Sequence, residues 1–250
     1  MARIAKLMSI MVLLCLTFAS EGEAARKVLF DTGHGEAFLI GEKGPLALSG
    51  FAKILQASDI EIETIQHPFS DASLAGAGAL VISGAFAALH PNEIEAVVRF
   101  MQKGGKLAVM LHIAPPLSHL LDRLQVSYTN GVIRERQNII ENDPIRFRVD
   151  RISDHPVMQG VREFSLHGAW GVLNGNAGSR IIAATGPQAW IDLDRDGVQR
   201  KEETAAFGVV VAGEMGDGGF IIFGDDAIFQ NKFLDENSKL LAANLAGWLK

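Results

Sequence analysis

The sequence predicts an α/β protein: a mostly parallel sheet with helices on both faces and an antiparallel hairpin near its C-terminal end. Three observations carry that expectation. The runs Lys27-Val28-Leu29-Phe30-Asp31, Ala79-Leu80-Val81-Ile82-Ser83 and Lys106-Leu107-Ala108-Val109-Met110-Leu111-His112 are continuous and apolar, as strands covered on both faces are, and the first two give way at once to small polar or glycine residues. Helical periodicity separates these runs, and repeated strand–helix alternation favours parallel crossovers. Two late apolar stretches, 207–212 and 220–223, flank the turn-forming Met215-Gly216-Asp217-Gly218-Gly219.

Each element has a local cause. After the first strand, Glu42-Lys43-Gly44-Pro45 punctuates a loop, and Leu48, Phe51, Ala52 and Leu55 then recur at the spacing of one buried helix face. A short strand is expected over 60–65. The next helix opens at Pro91, sets Glu93 and Glu95 against the positive end of its dipole, and aligns Ile94, Val97, Val98 and Met101. Lys103-Gly104-Gly105 stops it. Pro115-Pro116 opens a further helix through Leu117, Leu120, Leu121 and Leu124. From Val126 to Ala206 the rhythm changes: 145–149 alternates with period two, and 180–184 and 189–191 are further strand candidates. The closing helix places Leu241, Leu245 and Trp248 on one side, and there is no repeat or low-complexity tract.

The N-terminal segment has the composition of an export signal. Arg3 and Lys6 precede an apolar run over 7–19, and small residues follow, with Gly22 and Ala24 placed for cleavage after Ala24. The expected plan is therefore a secretory signal peptide over 1–24 and a single α/β domain over 25–250, working in the periplasm or as a secreted protein. An uncleaved anchor is the alternative, although the apolar run is short for a membrane span, and no span is expected in the mature chain. Cys15, the only cysteine, lies in the leader, so the mature chain would have no disulfide, cysteine nucleophile or thiolate metal site. The formal charge of −6 survives cleavage because Arg3 and Lys6 balance Glu21 and Glu23. No basic stripe remains for nucleic acid or an anionic membrane surface.

In open α/β sheets ligands bind outside the carboxyl ends of the strands. The candidate ligand-binding residues delivered there are Thr32, His34, Glu36, Ser83, His112 and Asp226, with Asp225 beside them. Histidines and carboxylates converging on one edge could hold a metal or form an acid–base pair; the alternative is that they satisfy loop amides. No G-x-S-x-G elbow, Walker loop or complete G-x-G-x-x-G is present. The sharpest local signal is Asp192-Leu193-Asp194-Arg195-Asp196-Gly197, with Glu203 after five further residues, which satisfies the whole calcium-loop pattern. The expected ligands are Asp192, Asp194, Asp196, the Val198 carbonyl and Glu203, around a structural calcium ion. Its flanks read as strands, so this would be a calcium loop set between strands and not an EF-hand. In Ser153-Asp154-His155-Pro156-Val157-Met158-Gln159-Gly160-Val161, His155 is expected to cap a turn.

The order of these motifs resembles the class I glutamine amidotransferase-like superfamily: Asp31-Thr32-Gly33-His34-Gly35 after the first strand, Ile82-Ser83-Gly84, Gly104-Gly105-Lys106, the phrase at His155-Pro156, and Gly224-Asp225-Asp226-Ala227-Ile228-Phe229 before the last helix. It is similar to the non-catalytic branch found in gliding-motility transporter accessory proteins and an intraflagellar-transport subunit, and to trehalose-utilisation-like proteins. The resemblance implies a flavodoxin-like three-layer sandwich. Amidotransferases carry a cysteine on the elbow after the third strand, where this chain has Ser83-Gly84-Ala85, so glutamine hydrolysis by that route is excluded. The expected function is a non-catalytic module binding a small ligand such as a carbohydrate, or an exported or membrane protein partner. The alternative is a metal-assisted hydrolase in which His34 and His112 position a metal or base, Glu36 or Asp226 transfers protons and Ser83 orients substrate.

Overall fold

A computed structural model describes residues 26–250; the expected signal peptide and Cys15 lie outside the described residues. Strand β1 (Arg26–Asp31) leads through a loop to α1 (Ser49–Ala57) and β2 (Ile60–Ile65), followed by β3 (Ala79–Ser83), α2 (Pro91–Gln102), β4 (Lys106–Met110) and α3 (Ser118–Arg123). These follow the apolar periodicity closely. The fourth strand stops at Met110, however, and His112 stands in the loop beyond it.

The chain then adds β5 (Val126–Arg134), β6 (Ile139–Ile140), β7 (Asp143–Val149), β8 (Arg151–Ile152), β9 (Phe164–His167), β10 (Trp170–Asn174), β11 (Ser179–Ala184) and β12 (Trp190–Ile191). It closes with β13 (Gly208–Met215), β14 (Gly218–Phe223) and α4 (Glu236–Leu249). The main sheet has eight strands in the order β2-β1-β3-β4-β14-β13-β11-β8. The neighbours from β2 to β14 are parallel, and β13, β11 and β8 add antiparallel pairings. This is the α/β, flavodoxin-like sandwich with a C-terminal hairpin that the sequence predicts.

The continuous apolar runs serve two cores because successive side chains point to opposite faces. Val28, Phe30, Val81, Ala108, Met110, Ile221 and Phe223 pack with Phe51 and Leu55 of α1 and Leu241 and Leu245 of α4. Leu29, Leu80, Ile82, Leu107, Val109 and Ile222 pack with Ile94, Val97 and Met101 of α2 and Leu120 and Leu121 of α3. The hairpin is longer than its apolar stretches: its strands run to Met215 and from Gly218, leaving Gly216-Asp217 as a two-residue turn with Gly216 at φ +61°. A Cβ on Gly218 would lie 2.0 Å from the Gly105 carbonyl oxygen, so only glycine lets β14 pass the end of α2. No helix among the described residues is long and apolar enough to cross a membrane.

Residues 126–174 and 190–191 also build two small antiparallel sheets, β10-β5-β12 and β6-β7-β9. The sequence pattern shows β7, β11 and β12 but misses β5, β6, β8, β9 and β10. β5 reads Val126-Ser127-Tyr128-Thr129-Asn130-Gly131-Val132-Ile133-Arg134, with a glycine and polar residues that hide its period. The two sheets place Val132, His167 and Trp170 beside the carboxyl ends of the main strands.

Candidate functional site

The six strand-end residues fall into two groups. The first forms at the turn after β1. Asp31 accepts from the Gly33 N–H through Oδ1 (3.0 Å) and contacts His34 Nδ1 through Oδ2 (2.7 Å). His34 Nε2 lies 3.2 Å from Glu93 Oε1. Glu93 caps α2 by accepting the His90 N–H at 2.8 Å and also accepts the Phe69 N–H at 2.9 Å. Both imidazole nitrogens thus face carboxylates, and the hydrogen bond to Asp31, outweighing burial, raises the His34 pKa to about 9. His34 is a buried cation between two anions, and Asp31, His34 and Glu36 offer ligand atoms within 4.8 Å of one another. Thr32 hydrogen-bonds the Ile65 carbonyl and pins β1 to β2.

Glu36 Oε2 accepts the His34 N–H at 2.9 Å, while its Oε1 is buried without a hydrogen-bond partner. Burial first, then the neighbouring Asp31 carboxylate, push the Glu36 pKa up to about 7. An acid raised from 4.5 to about 7 on folding loses stability as pH rises across that window. Glu36→Gln is therefore expected to leave the melting temperature unchanged at pH 4 and raise it at pH 8; equal effects at both pH values would reject this role.

The second group gathers where β3, β4 and β14 end. His112 Nδ1 is 3.1 Å from Asp226 Oδ1, and that contact, set against burial, raises the histidine pKa. The imidazole sits between Phe38 and Phe86, with ring centroids 5.6 and 4.9 Å away. Asp226 Oδ2 is buried without a partner. It points at Gly84, where a Cβ would lie 2.5 Å from it, and Gly84 has φ +70°. The elbow position after β3 thus has no side chain, and the space for one is taken by a carboxylate oxygen. Ser83, expected at the ligand edge, is instead buried under this turn with its Oγ unpartnered, because an all-buried strand carries its last side chain into the interior.

His112 and Asp226 open onto a cavity of about 340 Å³ whose wall includes Trp170, His167, Asp225, Gln230 and Phe233. Asp225 accepts the His167 N–H (2.5 Å) and the Ala227 N–H (2.9 Å), and burial followed by the Asp226 charge pushes its pKa up to about 7. His167 stacks on Phe233 at 3.8 Å, and burial, then the Arg146 charge, depress it to about 4, which keeps it neutral. The sequence reading missed His167, Trp170, Gln230 and Phe233. A usable signal was present: His167-Gly168 ends a strand as His34-Gly35 follows one, with Gly168 at φ +114°.

The acidic loop is separate. Its amino flank is β12, but its carboxyl flank is a 3-10 turn, Lys201–Glu203, where the sequence suggested a strand. Asp192, Asp194 and Asp196 offer carboxylate oxygens within 4.8 Å of one another. His155 caps its turn as expected, accepting the Val157 N–H at 3.2 Å.

A parallel sheet in 2-1-3-4 order with a tight turn after β3 and a cavity at the strand ends defines an α/β domain of flavodoxin-like fold. The chain belongs to the family described as Domain of unknown function (DUF4350), which matches residues 41–246. No curated protein matches it. Among solved structures it is similar to the mmIFT52 N-terminal domain (TM-score 0.70, 14% identity, 89% of this chain and 97% of that one). It is also similar to Cytoplasmic Protein STM1381 from Salmonella typhimurium LT2 (0.59, 15%, 90% and 99%) and to a ThuA-like protein from Bacteroides uniformis (0.54, 12%, 90% and 91%). At these identities the likeness is one of fold.

Proposed function

We propose that this is an exported, non-catalytic amidotransferase-like domain that holds a small polyhydroxylated ligand, of carbohydrate type, in the cavity at His112 and Asp226. The observation that carries this reading is the strand-end cavity itself, onto which the 38% exposed His112 side chain opens while Asp226 holds its Nδ1 from behind. The cavity lies in the size range of small-molecule sites, roughly 300–1,000 Å³. Its wall combines flat rings, Trp170 and Phe233, with hydrogen-bonding groups on Asp225, Asp226, His112 and Gln230, the mixture that grips a sugar by its faces and hydroxyls. We place the metal-assisted hydrolase behind this reading because His34 and His112 pair with different carboxylates and share no partner.

A protein partner is a second reading, favoured by Leu46 and Phe86, which are 42% and 45% exposed near the cavity mouth. The test is a thermal-shift and calorimetric screen of neutral mono- and disaccharides against wild type and Asp226→Ala. One sugar is expected to raise the wild-type melting temperature, by about 2.7 kcal/mol of stability at a hundredfold excess over Kd, and to have no effect on the variant. Equal binding to both proteins, or binding to neither, would remove the sugar reading; turnover of any sugar would remove the non-catalytic one.

A further inference from the structure

The loop at 192–203 carries an arginine where a metal ion would sit. Arg200 Nη1 lies 2.8 Å from Asp194 Oδ2, 3.1 Å from Asp196 Oδ1, 3.4 Å from the Val198 carbonyl oxygen and 3.8 Å from Glu203 Oε2, and its Nη2 bonds Asp196. Asp194, Asp196, Val198 and Glu203 are the third, fifth, seventh and twelfth positions of the calcium-loop pattern, and all four face one guanidinium. Asp192, the first position, accepts the Gly197 N–H at 3.2 Å and meets Arg134 at 3.4 Å.

Two further observations separate this cluster from an ordinary acidic turn. Glu203 is only 7% exposed; its Oε1 accepts the Leu193 N–H at 3.0 Å, while its Oε2 is buried, has no hydrogen-bond partner and faces Arg200. A buried carboxylate oxygen without a full partner is costly unless something charged completes it. The charges also fail to balance, since Asp192, Asp194, Asp196 and Glu203 face only Arg134 and Arg200, leaving two negative charges. A divalent cation in place of the Arg200 guanidinium halves that imbalance, leaving one net negative charge with Arg134 counted.

We infer that this loop is a calcium site in which the Arg200 guanidinium holds the ion's place, and that calcium binds by displacing it. Arginine suits such a role because its planar fork reaches several oxygens while its long stem lets it swing out to solvent. Its side chain is 36% exposed, so an outward path exists. Calcium then collects the oxygens of Asp192, Asp194, Asp196, Val198 and Glu203, a hard-oxygen set of the kind it takes. The site stands independently of whatever occupies the strand-end cavity.

Trp190, two residues before Asp192, allows a direct test through sensitised terbium luminescence, with calcium chloride as competitor. Wild type is expected to give a saturable signal that calcium displaces with a Kd of about 10⁻⁴–10⁻³ M. Arg200→Gln removes the internal competitor and is expected to tighten calcium about tenfold, whereas Glu203→Gln is expected to weaken it about tenfold, each equivalent to ~1.4 kcal/mol. Should R200Q not fold by circular dichroism, Arg200→Lys, which keeps the charge and loses the fork, takes its place with the same direction expected. No displaceable signal in wild type and R200Q alike would overturn the calcium site. Unchanged or weaker calcium binding in the arginine variants would overturn the displacement.

Discussion

Gly84→Ala is expected to destabilise the domain by about 3 kcal/mol, combining ~1–2 kcal/mol for a side chain in left-handed backbone and ~1–3 kcal/mol for overpacking. The new methyl would need the position 2.5 Å from Asp226 Oδ2, and Asp226 is held by His112 and buried to 3% exposure. Neither partner can move aside cheaply. In an Asp226→Ala background the steric part disappears and only the backbone part of about 1–2 kcal/mol should remain. Urea denaturation of the four proteins of this cycle measures the coupling; a cost below ~1 kcal/mol in the wild-type background would contradict it. Gly84→Cys should behave the same way and gain no amidase activity, because the carboxylate occupies the nucleophile's place.

His34→Gln should be costlier, about 3–5 kcal/mol, since removing one partner of a buried charge cluster strands the others. Asp31 and Glu93 are 4% and 6% exposed and would be left facing each other across a neutral amide. Burial alone would raise Glu93; the backbone N–H groups of His90 and Phe69 and the His34 charge outweigh it and hold its pKa below the ordinary value. The pH dependence gives a second readout. His34 is raised from 6.5 to about 9 in the folded protein, so its stabilisation is fully present below pH 6.5 and is lost as pH rises through 9. Wild-type stability should therefore fall between those values, and the H34Q curve should be flatter there. Parallel curves would show that His34 is not the buried cation described above.

The framework was legible because parallel-sheet strands and amphipathic helices carry their periods openly. Ala79–Ser83 and Pro91–Gln102 were visible as a buried run and a capped helical stripe. The site was half legible. The rule that ligands bind beyond the ends of parallel strands selects His112 and Asp226, which reach the cavity wall, and equally Thr32, His34 and Glu36, whose contacts lie around the turn after β1. What separates them is pairing: Glu93, fifty-nine positions on from His34, claims the imidazole, and no spacing along the chain reveals that contact.

The sequence by itself determined the sheet, its helices, the thiol-free composition of 25–250 and the acidic loop, because each depends on local period, residue type or short spacing. Only the tertiary structure decided that the elbow is filled by Asp226, that β9 and β10 wall the cavity with His167 and Trp170, and that Arg200 lies among the loop's oxygens. Those outcomes turn on angstrom-scale distances between charges and rings from different strands. Such distances are set by packing across the sheet and leave no periodic trace along the chain.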